Sequence, residues 1–153
     1  MSVDASIVGS EPLLRGLSVT QIQQLAGLAV EVTAPAGTRL FEEGGTARHF
    51  WLICAGWVAL DALVPGKGRV TIETLGRGDV LGLSWLTPPY VFKFGALCLQ
   101  PVQAFEFDAV GVRSACDRDP RLGYALFGRF LAVAAQRLQA TRTRLLERDS
   151  ADA

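Results

Sequence analysis

The strongest constraint on the fold is a series of short apolar runs, separated by glycine and proline, between residues 28 and 107. Each run is long enough for a β-strand and too short for an ordinary helix. The runs cover residues 28–32, 38–41, 49–54, 57–63, 70–75, 92–99 and 102–107. This punctuation predicts seven or eight short strands arranged as a sandwich or a small barrel.

Helical patterns flank the strand region on both sides. Ser18 and Gln21 have the spacing of a capping box, and helical spacing of apolar residues follows, so a helix is predicted over about 19–27. Asp108 is a predicted N-cap of a helix to about 116, and Asp119 followed by Pro120 predicts a second helix over about 120–147. Residues 1–10 are interpreted as a flexible leader and residues 148–153 as a fraying tail. The chain is thus predicted to be mainly β, with one leading and two trailing helices.

Composition excludes several functional classes. Lys plus Arg and Asp plus Glu both number 15, so the chain lacks the basic field of a general nucleic-acid binder. The cysteines, Cys54, Cys98 and Cys116, are widely spaced and His49 is the single histidine, which argues against a metal site and predicts a cytoplasmic protein with reduced thiols. We find no secretory signal, no membrane span and no nucleophile–base motif, and therefore expect neither a membrane partner nor an enzyme.

The order of elements and the placement of the glycines resemble the cyclic-nucleotide-binding sensor domain of the catabolite activator and fumarate/nitrate regulator superfamily. The resemblance extends over about residues 13–147. The segments that carry it are Pro35-Ala-Gly37, Phe41-Glu-Glu-Gly-Gly45, Phe50–Cys54 with Gly56, Gly76-Arg-Gly-Asp79 leading to Gly82, and Arg137-Leu-Gln-Ala-Thr141. It implies an eight-stranded double-sheet jelly-roll barrel over residues 11–147, which includes a dimerisation helix at about 120–147.

The family's ligand cassette corresponds to about residues 82–96 of this chain and departs from its usual pattern here. The resemblance implies a Glu after Gly82 for the ribose hydroxyl and an Arg two residues before Ala96 for the cyclic phosphate. Leu83 and Phe94 hold those positions, so both polar anchors are predicted to be lost. Lys93 is the single cation between residues 82 and 100, and it is either a solvated surface lysine or a substitute point charge.

Aromatic residues stand where the polar anchors would be expected. Trp85, Tyr90, Phe92 and Phe94 either line a pocket for an apolar ligand or fill the old cavity. Thr141 matches the position from which the family offers a hydroxyl to the base, and it is otherwise an ordinary helix-surface threonine. The candidate ligand-binding residues are Gly82, Leu83, Ser84, Trp85, Lys93, Phe94, Gly95, Ala96 and Thr141.

The last helix carries two apolar stripes. One stripe follows a heptad seam and is predicted to pair with the same helix of a second chain, which would make a homodimer through residues 122–145. Its members are Tyr124, Phe127, Leu131, Ala134, Leu138, Thr141 and Leu145. The second stripe is expected to pack on the barrel, and its members are Leu122, Leu126, Phe130 and Val133. The alternative is one wide stripe packed on the barrel alone.

These observations predict a regulatory ligand-sensing module with a degenerate phosphate cassette that acts through an unknown effector protein. The ligand is a cyclic nucleotide or another small molecule, and no cofactor is certain. The alternatives are a protein-interaction and dimerisation module that binds no ligand, and a true cyclic-nucleotide binder with atypical contacts. Only about six residues follow the last predicted helix, so we expect no DNA-reading domain in this chain.

Overall fold

In the computed structural model, which describes residues 3–151, eight strands form two antiparallel sheets, with helices before and after them. The helices are α1 (Ala5–Gly9), α2 (Val19–Ala26), α3 (Ala109–Arg118) and α4 (Pro120–Ala151), with 3₁₀ turns at Pro12–Leu14 and Ser84–Leu86. The strands are β1 (Ala29–Ala34), β2 (Arg39–Phe41), β3 (His49–Ala55), β4 (Val58–Val64), β5 (Gly68–Leu75), β6 (Val80–Leu81), β7 (Gly95–Cys98) and β8 (Val102–Asp108).

The sheet topology is that of a jelly roll. One sheet has the strand order β1-β8-β3-β6 and the other has the order β2-β7-β4-β5, so sequential strands mostly fall in different sheets. The β3–β8 pairing runs from His49 opposite Asp108 to Ala55 opposite Gln103. The predicted mainly β, double-sheet fold with trailing helices is confirmed.

Stacked aromatic rings connect the sheets to the last helix. Phe50 stacks on Trp85 and on Phe107, with ring centroids 4.7 Å apart in each pair. The ring of Phe130 meets both Phe50 and Trp85 edge-on, at 5.3 Å and 5.2 Å. Because each such pair adds about 0.5–1.5 kcal/mol beyond its area burial, this cluster fixes α4 against the strands and the cassette.

The predicted helix caps are confirmed. Ser18 and Gln21 form both hydrogen bonds of a capping box at the start of α2. Asp108 accepts from the backbone N–H of Gly111 at the start of α3, and Asp119 accepts from those of Arg121 and Leu122 in the first turn of α4. These carboxylates satisfy backbone donors that the first helical turn leaves without partners.

The leader and the tail differ from the prediction. Residues 5–9 form α1, because Asp4 caps the helix through the N–H of Ser6 and Val8 is fully buried in the core. α4 continues through the tail to Ala151. The leader residues 1–2 and the tail residues 152–153 lie outside the described part of the chain. The two-residue strand β6 was also not among the predicted apolar runs.

Candidate functional site

A cavity of about 340 Å³ opens between the cassette, the second sheet and α4. Six of the nine candidate ligand-binding residues line it: Gly82, Leu83, Ser84, Lys93, Phe94 and Thr141. The other lining residues are Phe41, Leu60, Ile72, Glu73, Phe92, Ala134, Arg137 and Leu138. The volume lies within the range that small-molecule sites usually have.

The cassette backbone depends on a glycine. Gly82 has φ of +89°, a region that L side chains rarely adopt, and it ends the short strand β6. A Cβ at this position would lie 3.4 Å from the Phe92 ring. Gly82 thus turns the chain from β6 into Leu83 and the 3₁₀ turn that follows, which places Leu83 and Ser84 at the cavity.

Apolar side chains occupy both positions at which the resemblance implies polar anchors. Leu83 is partly buried in the cavity wall, and Phe94 lies at the mouth with 42 % of its surface exposed. Neither side chain offers a hydrogen bond to a ribose or a phosphate. Lys93 is exposed and also lines the cavity, so its ammonium is available at the rim.

Three candidate residues do not line the cavity. Trp85, Gly95 and Ala96 are buried, and Trp85 has no exposed surface. Successive side chains of a 3₁₀ turn point about a third of a turn apart. Ser84 therefore borders the cavity while Trp85 enters the aromatic core.

The four aromatic residues of the cassette lie in different parts of the structure. Phe92 stacks on Phe41 with centroids 3.8 Å apart, and both rings line the cavity. Tyr90 lies outside it, under the guanidinium of Arg113 at 3.9 Å, and Arg113 also donates to the Trp85 carbonyl oxygen. The rings narrow the site, but a cavity remains between the cassette and α4.

Arg137 of α4 is a cavity residue that sequence reasoning did not single out. Its Nη2 donates to the carbonyl oxygen of Val80, which ties α4 to β6. Burial lowers the pKa of Arg137 below its usual value, against the attraction of Glu73 and Asp79. Its place in the segment Arg137-Leu-Gln-Ala-Thr141, which carries the resemblance, was the signal that could have identified it.

A buried ion pair lies behind the cassette. The guanidinium of Arg39 donates to both carboxylate oxygens of Asp61, at 2.9 Å and 2.8 Å, and its Nε donates to Glu42. The hydrogen bonds from Arg39 lower the pKa of Asp61, which is 5 % exposed. A Cβ at position 95 would overlap this pair, so Gly95 leaves the space that Arg39 and Asp61 occupy.

Thr141 lies on the cavity side of α4. Its hydroxyl donates to the Arg137 carbonyl oxygen at 2.9 Å and accepts from Arg144 at 3.2 Å. Thr141 is thus near the cassette, and its oxygen retains acceptor capacity for a further contact.

The two stripes of α4 have different surroundings. The side chains of Leu122, Leu126 and Phe130 in the second stripe are at most 1 % exposed, and the ring of Phe130 packs edge-on against Phe50 of β3. Much of the heptad seam is exposed: Tyr124 is 88 % exposed, Leu131 is 70 % exposed and Leu138 is 51 % exposed, whereas the ring of Phe127 meets Trp85 edge-on at 5.8 Å. The seam is therefore an apolar surface that this single chain does not cover.

Residues 3–151 lack two kinds of feature. No group of three or more His, Cys, Asp or Glu side chains in this range is placed to hold a metal ion. No helix in the same range combines the length and the apolar character needed to cross a membrane.

Known proteins resemble this chain in sequence pattern and in fold. Residues 31–119 match the family model of the cyclic nucleotide-binding domain. No curated protein matches the sequence.

Three solved structures illustrate the likeness in fold. A putative cyclic nucleotide-binding protein from Geobacter metallireducens has 22 % identity and a TM-score of 0.81, over 89 % of this chain and 98 % of that one. A cyclic nucleotide-binding domain from Methylobacillus flagellatus has 22 % identity and a TM-score of 0.80, over 94 % and 81 %. The catabolite activator protein of Thermus thermophilus has 21 % identity and a TM-score of 0.70, over 88 % and 61 %. At these identities the likeness shows the fold alone.

Proposed function

The chain belongs to the cyclic nucleotide-binding domain family, and from this premise we propose that it is a non-catalytic, regulatory ligand-sensing module with a degenerate phosphate cassette. It binds a small molecule in the cavity beside α4 and acts through a protein partner. The observation that carries this proposal is the open 340 Å³ cavity, with Leu83 and Phe94 where the resemblance implies polar anchors. A filled cassette would have supported a module without a ligand.

The missing anchors determine which ligands are excluded. A hydrogen bond to a charged group contributes about 1.5–3 kcal/mol, and bidentate Arg–phosphate pairs lie at the strong end. The loss of both anchors therefore weakens a cyclic nucleotide by about 100-fold or more. We expect cyclic AMP and cyclic GMP to bind with dissociation constants of at least about tens of micromolar, measured by titration calorimetry.

A repair of the cassette tests this proposal. Leu83→Glu with Phe94→Arg restores both anchors, and we expect the double variant to bind cyclic AMP at least about tenfold more tightly than the wild type. Leu63→Glu with Leu99→Arg is the matched control, because it places the same charges at positions that are 66 % and 48 % exposed. The control should leave the affinity unchanged.

Two results would contradict the proposal. Submicromolar binding of cyclic AMP to the wild type would favour a true cyclic-nucleotide binder with atypical contacts. A repaired variant that unfolds without gaining affinity would favour the alternative of an interaction and dimerisation module, because two charges would then lie in a closed apolar space.

The partners in this proposal are a second copy of the chain and an effector protein. The exposed seam of α4 supports the homodimer, since a coiled coil buries residues at this spacing. Three seam residues, Ala134, Leu138 and Thr141, also line the cavity. All three cysteines are free, which fits the reducing conditions of the cytoplasm.

A further inference from the structure

Arg137 lines this cavity and also a neighbouring one of about 510 Å³, and its guanidinium has no anionic partner within residues 3–151. It donates to the carbonyl oxygen of Val80, and within residues 3–151 no carboxylate lies within ion-pair distance of it. Glu73 and Asp79 are near enough to attract Arg137 but do not pair with it. A partly buried cation of this kind loses hydration that a neutral carbonyl only partly replaces.

The charges around the cavity do not cancel. Arg137 and Lys93 contribute two positive charges, and Glu73 contributes one negative charge. A single negative charge from a ligand would balance the site. A phosphate monoester carries about −1.5 to −2 at neutral pH, which exceeds this balance, whereas a carboxylate and a cyclic phosphodiester each carry the single negative charge that matches it.

Most of the remaining wall is apolar, and Ser84 and Thr141 are its polar members. Three aromatic rings, Phe41, Phe92 and Phe94, face aliphatic side chains from β4, β5 and α4 across the cavity. Leu83 offers no acceptor at the position where the resemblance implies a Glu for the ribose hydroxyl, so a ribose would lose that hydrogen bond. A flat or branched hydrocarbon body is the better match to these surfaces.

Resting on the proposed function, we infer that the cavity takes a small, mainly apolar monocarboxylate whose charged end is held by Arg137, with Lys93 at the rim. The planar guanidinium matches a carboxylate through parallel N–H···O bonds. Arg137 lies on α4, so the charge of the ligand is recognised by the long helix instead of by the cassette.

A pair of probes that differ in charge alone tests this inference. 1-Naphthaleneacetate carries the carboxylate, and 1-naphthaleneacetamide is its neutral counterpart of nearly the same shape. We expect the wild type to bind the acid at least about tenfold more tightly than the amide, by titration calorimetry or NMR. In Arg137→Gln that preference should disappear, while the affinity for the amide stays the same.

Two variants serve as controls. Arg142→Gln removes an exposed arginine of α4 that does not line the cavity, and it should keep the preference for the acid. Arg137→Lys retains the positive charge and should keep part of the preference for the acid. This result would show that the charge of Arg137, and not only its contact with Val80, is responsible for the preference. Circular dichroism verifies that each variant is folded.

The outcomes separate this inference from the proposed function. If both probes bind equally, or if the preference for the acid survives Arg137→Gln, the inference is wrong while the ligand cavity stands. Leu60→Trp adds bulk to the cavity wall and should abolish binding of both probes. If neither probe binds the wild type, or if binding is unchanged in Leu60→Trp, the inference is wrong, and the repaired variant Leu83→Glu with Phe94→Arg tests the proposed function independently.

Discussion

The seam of α4 gives the prediction whose magnitude follows most directly from the structure. Tyr124, Leu131, Leu138 and Leu145 recur at intervals of seven residues and are 51–88 % exposed. Full burial of a leucine side chain contributes about 1.5–3 kcal/mol. Leu131 is 70 % exposed, so its burial in a dimer contributes about 1–2 kcal/mol in each chain.

The substitution Leu131→Glu removes this contribution twice, once from each copy. The loss of about 2–4 kcal/mol corresponds to a dissociation constant raised by roughly 30-fold to several hundred-fold. Like charges facing each other across the seam would add to the loss. We expect light scattering and sedimentation at high-micromolar concentration to find dimers of the wild type and monomers of the variant.

The control for this experiment is on the same helix. Leu146 is 67 % exposed, nearly as much as Leu131, but it lies one residue away from the heptad position 145. Leu146→Glu should therefore leave the dimer intact. A monomeric wild type, or equal dissociation in the two variants, would refute the assignment of the seam.

Two further predictions concern stability. Since hydrogen bonds from Arg39 lower the pKa of Asp61, this pair stabilises the fold fully above the unfolded pKa of about 3.9 and loses its effect as the pH falls through the lower folded value. Asp61→Asn should lower the free energy of unfolding by about 2–3 kcal/mol at neutral pH. The loss is limited because Arg39 is partly exposed and keeps its ion pair with Glu42. If the difference in stability between wild type and variant does not become smaller in acid, the pair does not stabilise the fold. Gly56→Ala should lower the free energy of unfolding by at least about 2 kcal/mol more than Gly66→Ala, measured with denaturant. Both glycines have positive φ, but only at position 56 would the new Cβ contact Pro101. Equal losses of stability in the two variants would show that this contact is unimportant.

Local signals account for the elements that the sequence predicted well. Gly56 has φ of +91° and follows β3, and a glycine at such a junction is visible in the sequence because few other residues adopt that conformation. The caps at Ser18, Asp108 and Asp119 also act within three residues of themselves. Such signals need no knowledge of the distant chain, which explains why the strand region and the helix starts were predicted correctly.

Tertiary contacts decided the elements that the sequence did not predict. Residues 5–9 are helical because Asp4 caps the helix and Val8 enters the core; the cap is a local signal, but so short a segment has no periodicity that would predict the burial of Val8. β6 has two residues, and its pairing with Trp51 and Leu52 of β3 defines it as a strand. The partner strand, and not the sequence of β6, is what identifies it.

The candidate site was predictable as a segment but not residue by residue. The glycine that turns the chain at position 82 places Leu83 and Ser84 at the cavity, whereas Trp85 enters the core. A turn of three residues sends neighbouring side chains in different directions, and no periodicity is long enough to show which one faces inward. Arg137 lies 55 residues after Gly82 in the chain, so its contribution to the same wall depends on how α4 packs.

The two surfaces of α4 share residues in a way that connects the proposed ligand to the proposed dimer. Ala134, Leu138 and Thr141 line the cavity, and all three also hold heptad positions on the seam. A ligand that contacts these residues therefore changes the surface that a second copy would bury. Coupling between two binding equilibria is reciprocal. If dimerisation raises the affinity for the ligand by some factor, the ligand must therefore raise the affinity of the two copies for each other by the same factor. Under these two proposals a signal needs no catalytic group, since the helix proposed to contact the ligand is also the helix proposed to meet the second copy.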